Sequence, residues 1–380
     1  MTKELRVLAV GTLPPPIGGQ ALMFQQAIDA LAERARVDTL DIQAQRNIGE
    51  SGRLRFRKVA AFIALLLRKA LPLRFGPSYD VLYYCPAGPN LLGLLKDIVL
   101  LSLLRPRARH SVFHFHASGS GLFIQNRAAI LRKLAARYLH EPDLAIRCAD
   151  VEPNDARLYH AKANCIVYNG IPDPMVESSI TPRRPDDIHT LTYIGALIED
   201  KGIFDLISIA GILKSRDLPF VLHVVGEGTA KVAARFDRLV TEHGLADCVQ
   251  RRGVLTGKAK FDLLVTTDVF VFPSYFRAET QPLAIIEAQA MGVPAVAYDW
   301  RGINTTVADG ESGYLVPVRD TSGFAQRVLQ ILERSTVQRM GGNARRHYLE
   351  HFTLARFRRE LSTAVLEVPA SITTRRSATV

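Results

Sequence analysis

Short apolar runs separated by helix-length segments recur along this chain. Leu5 to Gly11, Asp80 to Cys85, Ser111 to His116, Leu144 to Cys148 and Cys165 to Tyr168 each have the length and composition of a buried strand. A second series follows, at Thr190–Gly195, Val221–Gly226, Val269–Pro273, Ala295–Tyr298 and Tyr314–Val316. Helical stretches lie between the strands of both series. The two series are divided by Ser178 to Asp187, SSITPRRPDD, which is polar and proline-bearing and has the composition of a linker. Strand and helix alternating twice across a linker predict a two-lobed, doubly wound α/β protein. Residues 322–366 read as helical and Arg-rich, Ser371 to Val380 as a disordered tail, and no solenoid-length repeat interrupts the pattern.

The stretch richest in signals is DVFVFPSYFRAETQPLAIIEAQAMGVPAVAYDWRGI, residues 268–303. It reads as strand (Asp268 to Pro273), polar loop (Ser274 to Gln281), helix (Leu283 to Met291) and strand (Val293 to Tyr298). Pro282 is expected as the first helical residue, where a missing N–H costs nothing, and Gly292 as the helix stop. Two carboxylates stand out. Glu287 shares a helix face with Leu283 and Ala290, so it is expected to be partly buried and to need donors. A ligand's hydroxyls or a neighbouring Arg would both serve. Glu279 precedes the free N–H groups of the helix, which favour an anion such as phosphate. It reads either as one wall of an anion site or as a solvated loop charge.

The spacing Glu279-x7-Glu287 is preceded by Phe272-Pro273-Ser274. It is followed by a Glu-Ala-x-Ala-x-Gly-x-Pro run from Glu287 to Pro294. In that context it resembles the signature of family-four retaining glycosyltransferases. The resemblance is weak over residues 1–175 and strong over 190–317. It implies the GT-B fold, two Rossmann-like doubly wound domains facing a central cleft. Residues 1–175 would form an acceptor domain, joined by a C-terminal helix at about 345–368, and residues 185–344 a nucleotide-sugar donor domain.

The resemblance also assigns roles. Glu287 would bind the donor ribose and Glu279 the donor sugar, beside Thr280, Gln281, Pro282 and Leu283 at the helix N-terminus. Gly195 and Lys201 fall on the family's element in which Gly-Arg is followed by Lys-Gly, here with four residues between Ala196 and Lys201, and with Lys201 as a pyrophosphate clamp. The usual Arg is replaced by Ala196, and Arg277 is a substitute cation in the neighbouring loop. Gly226 and Gly228 match a G-x-G turn that lines the nucleotide, and Val254 the place where backbone meets the base. His116 would contact the donor sugar, with His114 as the second choice; on strand position alone, a structural histidine is the other reading. Gly18 and Gly19, after three prolines, open the first helix. Their backbone would face donor phosphates or acceptor, although a tight proline-rich turn explains the glycines equally well. No G-x-G-x-x-G fingerprint for a nicotinamide cofactor is present, and no Asp-x-Asp ends a strand. Transfer is therefore expected without metal or cofactor, the nucleotide-diphosphate sugar being a substrate. No residue is an obvious covalent nucleophile; same-face attack, with the leaving phosphate helping to deprotonate the acceptor, is what the resemblance implies. A sugar-nucleotide-binding protein without catalysis is the competing reading, because Ala196 weakens the clamp.

Charge adds a question about partners. The chain has 380 residues, 48% hydrophobic, and a formal charge of +11. Much of the excess falls in residues 51–110, where Arg53, Arg55, Arg57, Lys58, Arg68, Lys69, Arg74, Lys96, Arg105, Arg107 and Arg109 flank apolar runs. Neither run approaches the ~20 residues that span a bilayer. Two readings stand side by side: helices with solvated cationic faces, or a surface that lies on an anionic leaflet. The second suits a lipid-linked or glycan acceptor in bacterial surface-polysaccharide assembly. No nucleic-acid-binding motif accompanies the charge. The four cysteines are scattered, with no C-x-x-C pair, so neither a zinc spacing nor a disulfide framework is read. The expected location is the cytoplasm, peripherally at the inner face of the membrane.

Overall fold

The computed structural model describes residues 4–15, 18–43, 54–177 and 188–369, with side chains omitted at 54–59 and 334. The linker read at Ser178 to Asp187, the tail from Ser371, Arg53 and the side chains of Arg55, Arg57 and Lys58 lie outside this description. The chain divides into two compact units, Met1–Asn169 with Ala355–Val380, and Gly170–Leu354.

The first unit is built on a parallel six-stranded sheet. Its strands are β1 (Arg6–Gly11), β2 (Arg36–Asp41), β3 (Tyr79–Tyr84), β4 (Ala108–Phe115), β5 (Leu144–Arg147) and β6 (Asn164–Ile166), in the order β2-β1-β3-β4-β5-β6. All six residues of β3 are buried, as expected of a strand covered on both faces. The helices are α1 (Gly19–Ala32), α2 (Leu54–Leu65), α3 (Leu71–Phe75), α4 (Leu91–Leu104), α5 (Ser120–Gln125), α6 (Ala129–Leu139) and α7 (Asp155–Leu158). A π-helical turn, Leu66–Ala70, joins α2 to α3.

The second unit repeats the plan. After α8 (Pro174–Glu177) come β7 (His189–Ile194), α9 (Ile203–Lys214), β8 (Phe220–Val225), α10 (Ala230–Glu242), β9 (Val249–Gly253), α11 (Gly257–Leu264) and β10 (Val269–Phe272). Then follow α12 (Leu283–Ala290), β11 (Ala295–Tyr298), β12 (Gly313–Val316), α13 (Thr321–Leu332) and α14 (Arg334–His351). The sheet order is β12-β11-β10-β7-β8-β9, all parallel. A last helix, α15 (Leu354–Leu366), returns to the first unit, where Phe357 stacks on His114 and Arg358 bonds Gln26 of α1. Two Rossmann-like parallel sheets with flanking helices make the GT-B fold class that the strand pattern and the resemblance predict.

Strand order reverses between β1 and β3 in the first sheet and between β7 and β10 in the second. At such a point the crossovers leave to opposite faces, and a crevice opens beyond the carboxyl ends of the two strands. In the second unit those ends run into Gly195–Lys201 and Pro273–Gln281.

Two strands escape the sequence reading, β2 and β9. Each is an edge strand, with one fully buried residue in β2 (Leu40) and one in β9 (Val249). An edge strand needs no continuous apolar run, so the hydrophobic signal is missing. Among the described residues no helix is long and apolar enough to cross a membrane.

Asp97 of α4 is buried and accepts from the Tyr84 hydroxyl and the Ala87 N–H, both at 2.7 Å. Burial pushes its carboxyl up to about 6, against the pull of Lys96 and of these donors. Between about pH 4 and pH 6 the folded chain keeps a proton that the unfolded chain has lost, so this group's contribution falls as pH rises through that window. Relative to Asp97→Asn, the wild type should lose roughly 3 kcal/mol across it. Denaturant midpoints of both proteins at stepped pH measure the difference; a constant difference would refute this reading.

Candidate active site

The second unit assembles its polar cluster where β7 and β10 end. Beyond β7 the chain makes a 3-10 turn, Glu199–Lys201, and enters α9 through Gly202. Gly202 has φ +73°, and a Cβ there would lie 1.9 Å from the Pro273 carbonyl oxygen. Only glycine combines that left-handed backbone with that approach. The Tyr275 N–H donates to the Asp200 carbonyl at 2.9 Å, stitching the turn to the loop after β10. The stitch sets Lys201 Nζ 2.6 Å from Glu279 Oε2, and Ser274 Oγ donates to the same oxygen at 2.8 Å. Glu279 is 8% exposed, so it is not the solvated loop charge that the sequence also allowed. Lys201 lies over the rings of Phe272 and Phe276, 5.4 and 5.2 Å from their centroids. Trp300 Nε1 donates to the Phe276 carbonyl at 2.9 Å and pins the loop.

The short helix α12 follows. Pro282 is its N-cap, at φ −71° and ψ 117°, one position earlier than expected; the first helical residue is Leu283. No side chain caps this end, and no acid sits in the first turn. The first N–H bonded back into the helix is that of Ile285, to the Pro282 carbonyl at 3.2 Å. Leu283 and Ala284 therefore present amide donors that no residue of α12 can accept. Thr280, Gln281 and Pro282 are buried beneath them, while Arg277 is exposed in the same loop.

Glu287 is buried on α12, as its apolar surroundings predict. Its donor within the chain is a lysine and not an arginine: Lys260 Nζ of α11 lies 2.5 Å from Oε1. Burial raises the Glu287 pKa, outweighing the pull of Lys260. Sequence reasoning missed Lys260 because alternation gives no sign of it. Its helix neighbour Lys258 is an ordinary exposed partner of Asp262, and only the turn of the helix separates the two.

The glycines of the loop cluster are positioned by backbone crowding. Gly226 has φ +136°, and a Cβ there would lie 1.9 Å from the Gly195 carbonyl oxygen; at Gly228 it would lie 2.2 Å from that of Leu197. The β7 and β8 loops thus run backbone against backbone. Ala196, exposed, has its carbonyl held by the Tyr193 hydroxyl at 3.0 Å. Val254 is 56% exposed just beyond β9, where the Gly253 carbonyl accepts from Gly226 N–H at 2.8 Å.

In the first unit, Gly18 is the N-cap of α1 and Gly19 its first residue. Gly18 has an extended backbone and a Cβ there would meet nothing within 4 Å, so packing does not demand a glycine. His116 follows β4. Its Nδ1 lies 3.4 Å from Cys148 Sγ, and His114 Nε2 lies 3.5 Å from the same sulfur. Burial pushes His116 down to about 4 and His114 well below its ordinary range, so both rings are neutral at pH 7. Cys148, which sequence spacing could not connect to the histidines, is brought to them by the parallel pairing of β4 with β5.

Comparison with known proteins agrees with this architecture. Residues 188–334 match the family described as Glycosyl transferases group 1. A putative colanic acid biosynthesis glycosyltransferase of Salmonella typhimurium is 27% identical over 175 residues, 44% of this chain and 43% of that protein. The matched part spans about two fifths of the length of the curated relatives. The fold extends further. Sucrose-phosphate synthase from Thermosynechococcus elongatus superposes with TM-score 0.74 at 21% identity, over 96% of this chain and 100% of the other. Anabaena HepE, solved in complex with UDP and glucose, gives 0.68 at 16% identity over 94% and 98%. The likeness first read from the stretch around Glu279 is thus matched over residues 188–334 by the model of the glycosyl transferases group 1, within a chain of GT-B fold.

Proposed function

We propose that this chain is a retaining glycosyltransferase that takes a sugar from a nucleoside diphosphate sugar. The observation that carries this reading is the convergence of Lys201, Glu279 and Ser274 beside the uncapped N-terminus of α12. Negative charge grows on a departing diphosphate, and fixed donors aimed at it lower the barrier. Lys201 and the first amides of α12 are such donors. Glu279 orients Lys201 and accepts from the donor sugar, and Glu287 accepts from the ribose hydroxyls while Lys260 offsets part of the cost of burying its charge. Gly195, Gly226, Gly228 and Val254 form the backbone floor under the nucleotide, with Thr280, Gln281, Pro282 and Leu283 on the phosphate side and Arg277 as an outer cation. For the first unit, the roles of His116 towards a sugar and of Gly18 and Gly19 towards phosphate or acceptor are carried over from the resemblance. The reaction is written without a metal, the leaving phosphate helping to take the acceptor proton.

The acceptor we propose is membrane-borne. Leu67 (61% exposed), Phe75 (80%) and Leu92 (69%) stand out from α2–α4 and the π turn, beside Arg68, Lys69, Arg74 and Lys96. Apolar side chains among cations suit an anionic lipid surface. The polysaccharide role printed for the Salmonella relative is consistent with a lipid-linked glycan acceptor, and peripheral attachment at the cytoplasmic leaflet follows.

Three outcomes test this reading. Lys201→Ala should lower kcat by about 10²–10³-fold, measured as nucleoside diphosphate released when donor and acceptor are both present. Donor binding with no nucleoside diphosphate released when an acceptor is present would leave a sugar-nucleotide-binding protein, the reading that Ala196 favours. Donor-nucleotide affinity, followed by calorimetry, should weaken as pH falls, because protonation removes the Glu287 acceptor. The raised pKa places the onset above the ordinary carboxylate range. Glu287→Gln should bind about 10–100-fold more weakly and lose most of that slope; unchanged affinity refutes the ribose assignment. Finally, the protein should sediment with anionic vesicles at low salt, and Phe75→Glu with Leu92→Glu should abolish this. No sedimentation of the wild type would overturn the membrane-borne acceptor.

A further inference from the structure

The first unit brings together three metal-binding side chains that the proposed transfer does not use as a set. Among the described residues, His114, His116 and Cys148 form a group whose ligand atoms all lie within 4.8 Å of one another. The sulfur sits 3.5 Å from His114 Nε2 and 3.4 Å from His116 Nδ1. Zinc bonds of about 2.3 Å to sulfur and about 2.0–2.1 Å to nitrogen, at tetrahedral angles, separate S from N by about 3.5 Å. The two sulfur–nitrogen edges therefore already have the length a zinc ion would impose.

The Tyr83 hydroxyl lies 2.5 Å from His114 Nδ1. In the tautomer whose Nδ1–H donates to the Tyr83 oxygen, Nε2 keeps a lone pair facing Cys148. A ring nitrogen hydrogen-bonded behind the ligating one is the usual support of a metal-bound histidine. Packing holds the set in place. Phe24 stacks on Tyr83, Phe357 on His114, and the ring centroids of His114 and His116 are 4.0 Å apart. The Cys148 sulfur also lies 3.3 Å from the Phe115 carbonyl, so it has three close polar neighbours. His114 and Cys148 are fully buried, but His116 is part-exposed and opens a route from the loop after β4.

We propose that His114, His116 and Cys148 bind one zinc ion, with the fourth position open on the His116 side. As the sulfur–zinc bond forms, the thiol proton passes to solvent; the imidazoles bind through lone pairs, and no oxidation state changes. The bound ion would hold the His116 ring against β5. It takes no part in the transfer step.

The test uses the tag-free full chain stripped of metal. Zinc is titrated against a chromophoric chelator, and cobalt(II) is added separately as a spectroscopic probe. The wild type should take up one tight equivalent of zinc, and its cobalt form should show a sulfur-to-metal charge-transfer band. Cys148→Ala, a small truncation whose fold is checked by circular dichroism, should bind zinc at least tenfold more weakly and lose the band. His116→Ala, nearer the surface, should weaken zinc while keeping the sulfur band of any residual cobalt complex. Zinc bound equally by Cys148→Ala would place the ion elsewhere, for example on His347 and His351, whose rings are 4.8 Å apart, and would overturn the proposal. So would a wild type that takes up no zinc. Both readouts are independent of sugar transfer.

Discussion

The missing side chain of Gly202 is the constraint on which the second unit's polar cluster depends. Only because that position lacks a Cβ can the entrance of α9 lie against the Pro273 carbonyl. The backbone bond from Tyr275 to Asp200 then fixes the two switch-point loops to one another. Lys201 and Glu279, 78 positions apart in sequence, meet at 2.6 Å where these loops join. A bulkier residue would force the loops apart by more than an ångström, and a charge pair in a part-buried site would lose its geometry before the sheet lost its strands. The cluster is thus set by backbone packing and only then by charge.

Charge pairing explains how the acids are tolerated. Removing one partner of a buried pair costs about 3–5 kcal/mol, because the remaining charge is left without compensation. Lys201 and Lys260 supply that compensation within the unit, so Glu279 and Glu287 are held in place before any ligand arrives. A lysine ammonium has three donors. Glu279 takes one of those on Lys201, which leaves two for the phosphate of the proposed donor. Arg345 braces the other end of α12: it bonds the Ala290 carbonyl at 2.8 Å while holding Asp173 at 2.6 and 2.8 Å. The helix whose N-terminus faces the site is therefore anchored at its C-terminus.

What the sequence disclosed followed from periodicity and local chemistry. Central strands such as Val269–Phe272 are wholly buried and announce themselves as apolar runs. The edge strands Arg36–Asp41 and Val249–Gly253 do not, because their burial is supplied from one side only. The burial of Glu287 was legible from its helix face, but its partner was not: Lys260 lies on another helix, and pairing across helices leaves no trace in spacing. The same holds for His114, His116 and Cys148. His114 and His116 are two positions apart and so share a face, yet the cysteine arrives from the next strand, so a search for short Cys–His spacings passes over it. Pro282 failed by one position, since a proline's fixed φ suits a cap as well as a first turn, and only ψ tells them apart.

Ala196 shows how backbone and side-chain donors trade places. The family pattern calls for an arginine there, with two N–H groups in a fork. Here the Ala196 carbonyl is held by Tyr193 and no cation stands on that residue. Beside the proposed anion site the described residues offer Lys201 and exposed Arg277, together with the first amides of α12, equivalent to about half a positive charge. Amides fixed by a helix lose no rotamer freedom on binding, whereas a long side chain gives up as much as ~2 kcal/mol of it. A site that relies on them depends on the helix being aimed correctly. That is the condition that Gly202 at the loop contact and Arg345 at the far end of α12 together maintain.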